Sequence, residues 1–218
     1  EWGDIFVNDA FGAAHRAHAS VSRVTEFIQP AVAGFLLEKE IEYLANATSN
    51  PTRPFVAILG GAKVSDKIEV IKSLMEKVDA LLIGGAMAYT FLKSQGKEIG
   101  KSRVEDDKLD LAAEILKLAD AKPGLKFILP CDHVVAEELK ENAPCQPVKE
   151  IPSNQLGLDI GPETIAAYSA VISGAKTVVW NGPMGVFETP PFDKGTVEIA
   201  KAIAASDCVS IIGGGDSV

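Results

Sequence analysis

Two lysines, Lys63 and Lys67, follow Gly60-Gly61-Ala62 where the apolar run Phe55–Leu59 ends. A strand that stops at glycines and turns into a helix aims main-chain N–H groups and the positive helix end in one direction. Two ammonium groups at helical spacing share a face there, and such a convergence suits phosphate oxygens. The same residues also fit two solvated lysines beside a helix capped by Ser65 or Asp66. A second candidate is Gly213-Gly214-Gly215-Asp216-Ser217. Its amides can cradle phosphate while Asp216 offers a hard oxygen to Mg²⁺; the alternative is a flexible turn with a capping Asp. Three successive glycines cost conformational entropy, which favours the functional reading. The third, Asn181-Gly182-Pro183-Met184-Gly185-Val186-Phe187-Glu188, is a rigid loop with Glu188 free for ribose hydroxyls. The fourth is His15-Arg16-Ala17-His18, where the Arg16 fork can grip an anion or form a surface ion pair. No nucleophile is paired with either histidine.

Several chemistries are excluded. Gly96-Lys97-Glu98-Ile99-Gly100-Lys101-Ser102 resembles a P-loop, but its glycine spacing is short and it follows a helix, so it reads as a surface turn. No GxGxxG fingerprint is present, which removes the mark of a nicotinamide dehydrogenase. Cys131, Cys145 and Cys208 are an odd set without CxxC spacing, arguing against disulfides and zinc. A net charge of −9 argues against a nucleic-acid partner. The longest apolar stretch, Val78–Leu92, carries Asp79 and a Gly-Gly break and is shorter than the roughly 20 residues of a membrane span.

These residues need elements to position them. Four apolar runs stop at glycine or Asn-Gly: Phe55–Leu59, Ala80–Ile83, Thr177–Trp180 and Val209–Ile212. Short continuous apolar runs read as buried parallel strands, and ligands of such sheets bind beyond the carboxyl ends. Strand Lys126–Leu129 joins them. Helices are expected from Ser65 or Asp66 to Val78, near Met87–Ser94, over Asp106–Asp120, from Pro162 as an N1 proline, and over Lys194–Ala204. This alternation predicts an α/β fold with a doubly wound, mostly parallel, Rossmann-like sheet. Upstream lie a short strand, Ile5–Val7, and a helix from about Ala33 to Ala47 with Leu37, Ile41 and Leu44 on one face. The opening strand without a start methionine reads as a cut end, and the chain stops just past the last glycine loop.

Taken together, five stretches resemble the phosphoglycerate kinase family. They are Val7–Gly12 with His15–Ser20, Leu59–Lys67, Gly157–Pro162, Val179–Glu188 and Gly213–Ser217, in family order across essentially the whole chain. The resemblance implies two α/β domains joined by a helix, and phosphoryl transfer between 1,3-bisphosphoglycerate and ADP, giving 3-phosphoglycerate and ATP, with Mg²⁺. It makes residues 1–32 the remnant of the substrate domain, 33–48 the connector and 49–218 an incomplete nucleotide domain. Arg16 would bind 3-phosphoglycerate; Lys67, Lys63 and Gly215 would be the catalytic group. Gly213, Gly214, Gly215 and Ser217 would grip phosphate, with Lys63 and Asn181 beside them, and Asp216 would meet Mg²⁺. Gly84, Gly85, Gly157 and Leu158 would line the adenine slot and Glu188 would hold ribose. The implied protein is a monomer without nucleic-acid or membrane partners, in the cytoplasm or the plastid stroma. Arg103 departs from the pattern, standing where an apolar residue is expected at the adenine pocket. About half the family's length is absent, so the chain alone is expected to be nearly inactive. The competing reading is a non-catalytic nucleotide-binding module.

Overall fold

A computed structural model describes residues 3–218, with the side chains of residues 44–49 outside the described set. The chain folds as two units, Glu1–Pro51 and Thr52–Val218. In the first, β1 (Phe6–Asn8) pairs in parallel with β2 (Ala31–Ala33), and helix α1 spans Phe35–Ser49. The Asp9 carboxylate accepts the Leu37 amide at 2.8 Å, satisfying one of the free N–H groups at the start of α1. This start is two residues later than the sequence suggests, because Ala31–Ala33 is drawn into strand pairing. Leu37 is half-buried and Ile41 exposed, so the expected apolar face is only partly covered; Leu44 lies outside the described side chains.

The second unit is built on five parallel strands: β3 (Phe55–Leu59), β4 (Ala80–Ile83), β5 (Lys126–Ile128), β9 (Thr177–Asn181) and β10 (Val209–Gly213). Their order across the sheet is β10-β9-β3-β4-β5. From β3 the chain moves outward through β4 to β5, then returns to lay β9 on the other side of β3. The direction reverses between β3 and β9, and in open α/β sheets that reversal opens a crevice at the carboxyl edge. Strand register brings Leu59, Ile83, Asn181 and Gly213 to this edge.

The central strands β3 and β4 are apolar throughout because both of their faces are covered. Phe55, Ala57 and Leu59 pack with Leu81 and Ile83 under α2 (Ile68–Met75), α3 (Met87–Ser94) and α4 (Leu109–Asp120). The alternate residues Val56 and Ile58 pack with Leu82, Val178 and Trp180 under α5 (Pro162–Ser173) and α6 (Lys194–Ala204). Each side chain of β3 is at most 1% exposed, and fully burying one Val, Leu, Ile or Phe contributes about 1.5–3 kcal/mol.

A second, three-stranded antiparallel sheet has the order β7-β6-β8. It comprises β6 (His133–Ala136), β7 (Gln146–Val148) and β8 (Leu156–Ile160). Val135 packs with Tyr89 and Leu92 of α3, which ties this sheet to the sheet-capping helices. Asp132, just before β6, accepts the amides of Glu163 (2.9 Å) and Thr164 (2.7 Å), and so caps α5 from a distant point in the chain. Among the described residues no helix is long and apolar enough to cross a membrane.

Two local expectations are corrected. Helix α2 starts at Ile68 with no side-chain cap, and ends at Met75 rather than Val78. The segment before α4 opens as a 3-10 turn, Asp106–Lys108.

Candidate nucleotide cleft

The cleft forms where three loops knit together at the carboxyl edge of the large sheet. Gly60 N donates to Asn181 O (3.0 Å), Gly61 N to Pro183 O (3.1 Å) and Gly85 N to Met184 O (2.9 Å). A Cβ at Gly60 would lie 2.0 Å from Pro183 O, and one at Gly182 2.4 Å from Gly60 O. One at Gly84 would strike Met184 Sδ at 2.5 Å, and one at Gly85 would meet Gly61 N at 2.4 Å. Glycine is required at these positions because the loops touch one another. Close packing of loop on loop thus accounts for these four glycines, and Gly85 also lines the cleft. Gly61 and Gly215 differ: a Cβ on either meets nothing within 4 Å, and Gly61 has φ +107°. The space on the Cβ side of both residues is open, although the Gly61 amide itself is already paired with Pro183 O.

Lys67 stands at the N-terminal boundary of α2, and its ammonium contacts Asn181 Oδ1 at the end of β9. Burial pulls its pKa below the usual lysine value, although Asp66 nearby acts in the opposite sense. A partly desolvated ammonium is a stronger partner for an incoming anion than one in bulk water. Lys63 is exposed on the turn before it. The helical spacing argument for the two lysines does not hold, because residues 63–67 are turn and Lys67 N donates to Val64 O.

Ser65 does not cap α2. Its amide (3.1 Å) and hydroxyl (2.6 Å) both donate to the Glu105 carboxylate. Burial pushes the Glu105 carboxyl up, but the hydrogen bonds from Ser65 and Val64 prevail and hold it below the usual carboxylate value. Glu105 N in turn donates to the buried Thr90 hydroxyl on α3 (3.2 Å). The lysine loop is thus tied to α3 through one carboxylate, which sequence spacing could not reveal across the 40 residues between Ser65 and Glu105.

From these loops a cleft of about 370 Å³ runs toward α3 and β8. One end is polar, bordered by Gly61, Pro183 and Asp216; the other is walled by Tyr89, Gly157, Leu158, Val186 and Phe187, with Glu188 on the rim. Pockets that hold small ligands share this size and this mixture of apolar walls with a few polar groups. Gly157 is needed because a Cβ there would lie 2.2 Å from the Tyr89 hydroxyl. Ser217 Oγ accepts the Gly182 amide at 2.9 Å, linking the last glycine loop to the β9 loop. Gly213 and Gly214 lie against the Asn181 side chain.

Asp159 is a supporting residue that the sequence showed without a role. It accepts the Gly195 amide (2.6 Å) and the Ile160 amide (2.8 Å), and a Cβ on Gly185 would lie 2.3 Å from its Oδ1. The carboxyl lies against Gly185 and ties the start of α6 to β8. Burial drives its pKa up to about 7 despite the two amide donors.

Among the described residues no three His, Cys, Asp or Glu side chains converge as a metal cage. The single cleft carboxylate at the glycine-rich end, Asp216, fits Mg²⁺ carried in on phosphates, since Mg²⁺ takes one or two carboxylates plus phosphate oxygens. Arg16 belongs to the first unit, exposed after the 3-10 turn Phe11–Ala13. A larger concavity of about 600 Å³ lies at the amino edge of the sheet, lined by Arg53, Asp79, Gly124 and Lys126. It lies at the opposite strand ends from the crevice.

A family model described as phosphoglycerate kinase matches residues 1–218. The phosphoglycerate kinase of Solibacter usitatus is 60% identical over 98% of this chain and 54% of its own length. That of Moorella thermoacetica is 59% identical over 99% of this chain and 55% of its own. The structure of phosphoglycerate kinase from Coxiella burnetii aligns with a TM-score of 0.92 at 46% identity, covering 98% of this chain and 55% of that one. The enzyme from Pyrococcus horikoshii aligns at 0.82 and 34% identity, over 98% and 54%. The chain spans about half the length of the curated relatives it matches. The curated relatives are bacterial, so the expectation of a plastid compartment finds no support among them.

Proposed function

Because the chain belongs to the phosphoglycerate kinase family, we propose that it supplies the nucleotide half of an enzyme moving a phosphoryl group between 1,3-bisphosphoglycerate and ADP. In this reading residues 1–32 close the substrate domain, 33–48 are the connector and 49–218 form the nucleotide domain. ADP lies along the 370 Å³ cleft with its purine between Tyr89, Gly157 and Leu158, and its ribose at Glu188. Its phosphates reach the amides of Gly214 and Gly215, and Asp216 would hold Mg²⁺ carried in on them.

The acyl phosphate of the substrate gives up its phosphoryl group to the terminal phosphate oxygen of ADP. The P–O bond to the carboxyl oxygen breaks as the new one forms, leaving a carboxylate and ATP. Little covalent work falls to the protein; positioning and charge neutralisation carry the acceleration. Lys67 neutralises charge on the transferring group, Lys63 holds nucleotide phosphate, and Gly215 approaches without a side chain in the way. Mg²⁺ held by Asp216 would supply further neutralisation of phosphate charge. Arg16 grips the anionic end of the three-carbon acid, but one arginine is too little to hold it, so the chain alone turns over poorly.

The single observation that supports this most is the crevice itself. An apolar slot opens at the β3/β9 reversal and leads to a glycine-rich, lysine-flanked edge. Calorimetry with MgADP tests it. Binding that weakens at least tenfold in Lys67→Ala and Asp216→Ala supports the assignment; unchanged binding in both variants removes it.

A further inference from the structure

Residues 60–67, between β3 and α2, are turns and bends without regular structure. At the start of this segment Gly60 and Gly61 are held by the β9 loop, through Asn181 O and Pro183 O. Beyond them, among the described residues, the hydrogen bonds that reach Ala62–Asp66 from outside the turn all end on the Glu105 carboxylate. It accepts the Ser65 amide at 3.1 Å, the Ser65 hydroxyl at 2.6 Å, and the Val64 amide. Val64 is fully buried in the cluster that contains Met87 and Phe91 of α3. Lys67 N then donates to Val64 O at 2.9 Å, so a residue clamped by Glu105 is the one that fixes the Lys67 backbone. Glu105 is anchored in turn. Its amide donates to the buried Thr90 hydroxyl on α3 at 3.2 Å, and Ser102 Oγ accepts the Gly157 amide of β8 at 2.9 Å. Arg103, which lines the cleft, lies between these two bonds, whereas Glu105 does not line it.

A lysine is a point charge on a flexible four-carbon stem, so its backbone must be fixed if the charge is to stay in place. A displacement of about 1 Å in a positioned group removes much of what it contributes. The far end of the Lys67 side chain lies at Asn181, whose amide group is beside Gly213 and Gly214. Glu105 and Asn181 therefore hold this residue at its two ends, main chain and ammonium. The hydrogen bonds to Glu105 keep its carboxyl below the usual carboxylate value, so the clamp is charged at neutral pH. We infer that Glu105 is a positioning residue for phosphate binding: by clamping Val64 and Ser65 it sets Lys67 toward the terminal phosphate of the nucleotide, without touching the nucleotide. This rests on the nucleotide cleft proposed above.

The test is calorimetry on the 218-residue chain with MgADP, and with AMP read by displacement of MgADP, repeated on Glu105→Gln and Ser65→Ala. AMP carries the base, the ribose and one phosphate, but lacks the terminal phosphate that Lys67 meets. The Kd for MgADP should rise about fivefold or more in both variants while that for AMP stays within about twofold, the size of effect one lost hydrogen bond carries. Placed in Lys67→Met, Glu105→Gln should weaken MgADP by less than about twofold, because the clamp acts through the lysine. A loss as large with Lys67→Met as without it overturns positioning, and so does unchanged MgADP affinity in both single variants. An AMP loss equal to the MgADP loss also overturns it, showing a cleft loosened as a whole. If the unsubstituted chain binds neither nucleotide, the cleft assignment fails and this inference with it, an outcome distinct from the others.

Discussion

Replacing Gly60 with alanine separates two reasons for glycine at this site. The added methyl would lie 2.0 Å from Pro183 O and 2.6 Å from Gly182 O, both backbone atoms, whereas ordinary contact begins at 3.4 Å. Relief requires the β3 and β9 loops to part, which loosens the Gly60–Asn181 and Gly61–Pro183 hydrogen bonds. Overpacking costs about 1–3 kcal/mol and each of the two lost hydrogen bonds about 0.5–1.5 kcal/mol, so the sum is about 2–6 kcal/mol. For a unit of this size each kcal/mol moves Tm by about 2–4 °C, so Gly60→Ala should melt about 4–24 °C lower. Asn181 shifts with the loop and takes the Lys67 contact with it. Gly215→Ala is the counterpart, because its Cβ meets nothing within 4 Å and its backbone is not in the left-handed region. Its Tm should stay within about 1 °C of the parent, well inside the effect of an unremarkable surface substitution. MgADP affinity should nevertheless fall, because the methyl takes the place of a phosphate approach. Differential scanning calorimetry with and without MgADP reads both. A Gly60→Ala chain that melts with the parent, or a Gly215→Ala chain that loses as much as Gly60→Ala, refutes the distinction.

Four further substitutions test the buried ionisable groups and the loop tie. Asp159 has a folded pKa raised to about 7, so it favours the folded state below its unfolded value, and that contribution is lost as pH rises through about 7. His133, buried with its pKa lowered to about 4, acts in the opposite sense: its contribution is present above about 6.5 and lost as pH falls through about 4. Melting curves from pH 4 to 7 should therefore rise with pH in Asp159→Asn and fall with pH in His133→Phe; parallel curves in both would disprove it. Glu105→Gln leaves one of the two Ser65 donors facing an amide N–H₂, so hydrogen exchange over residues 62–67 should quicken at least tenfold while the core strands keep their protection. Lys67→Met keeps the stem and removes a charge that burial disfavours, so Tm should not drop, while the Kd for MgADP rises at least tenfold.

The parallel sheet was legible because its central strands β3 and β4 are buried on both faces. Phe55–Leu59 and Ala80–Ile83 carry no polar residue to blur them. The antiparallel sheet was not. β7 includes Pro147 and an exposed Gln146, and β6 begins with a histidine after Asp132, so neither shows a clean alternation. Glycines at strand ends correctly marked the cleft edge, but sequence cannot tell a glycine that meets a ligand from one that meets another loop. Gly60 and Gly215 look alike until the neighbouring backbone is in place. Ser65 showed the same limit: its fit to a local cap was good, yet a carboxylate far along the chain competes for both of its donors. Arg103 was visible as a departure from the family pattern, and only the fold shows that its backbone is fixed at the cleft wall.

The central claim is that the nucleotide occupies the carboxyl-edge crevice, with its phosphates at the β3/β9 reversal. Amide chemical-shift mapping of the chain titrated with MgADP tests this directly. The account predicts the largest saturating shifts at Gly61, Gly157, Glu188, Gly214 and Gly215. Shifts centred instead on the amino-edge concavity, at Arg53, Gly124 and Lys126, would contradict it.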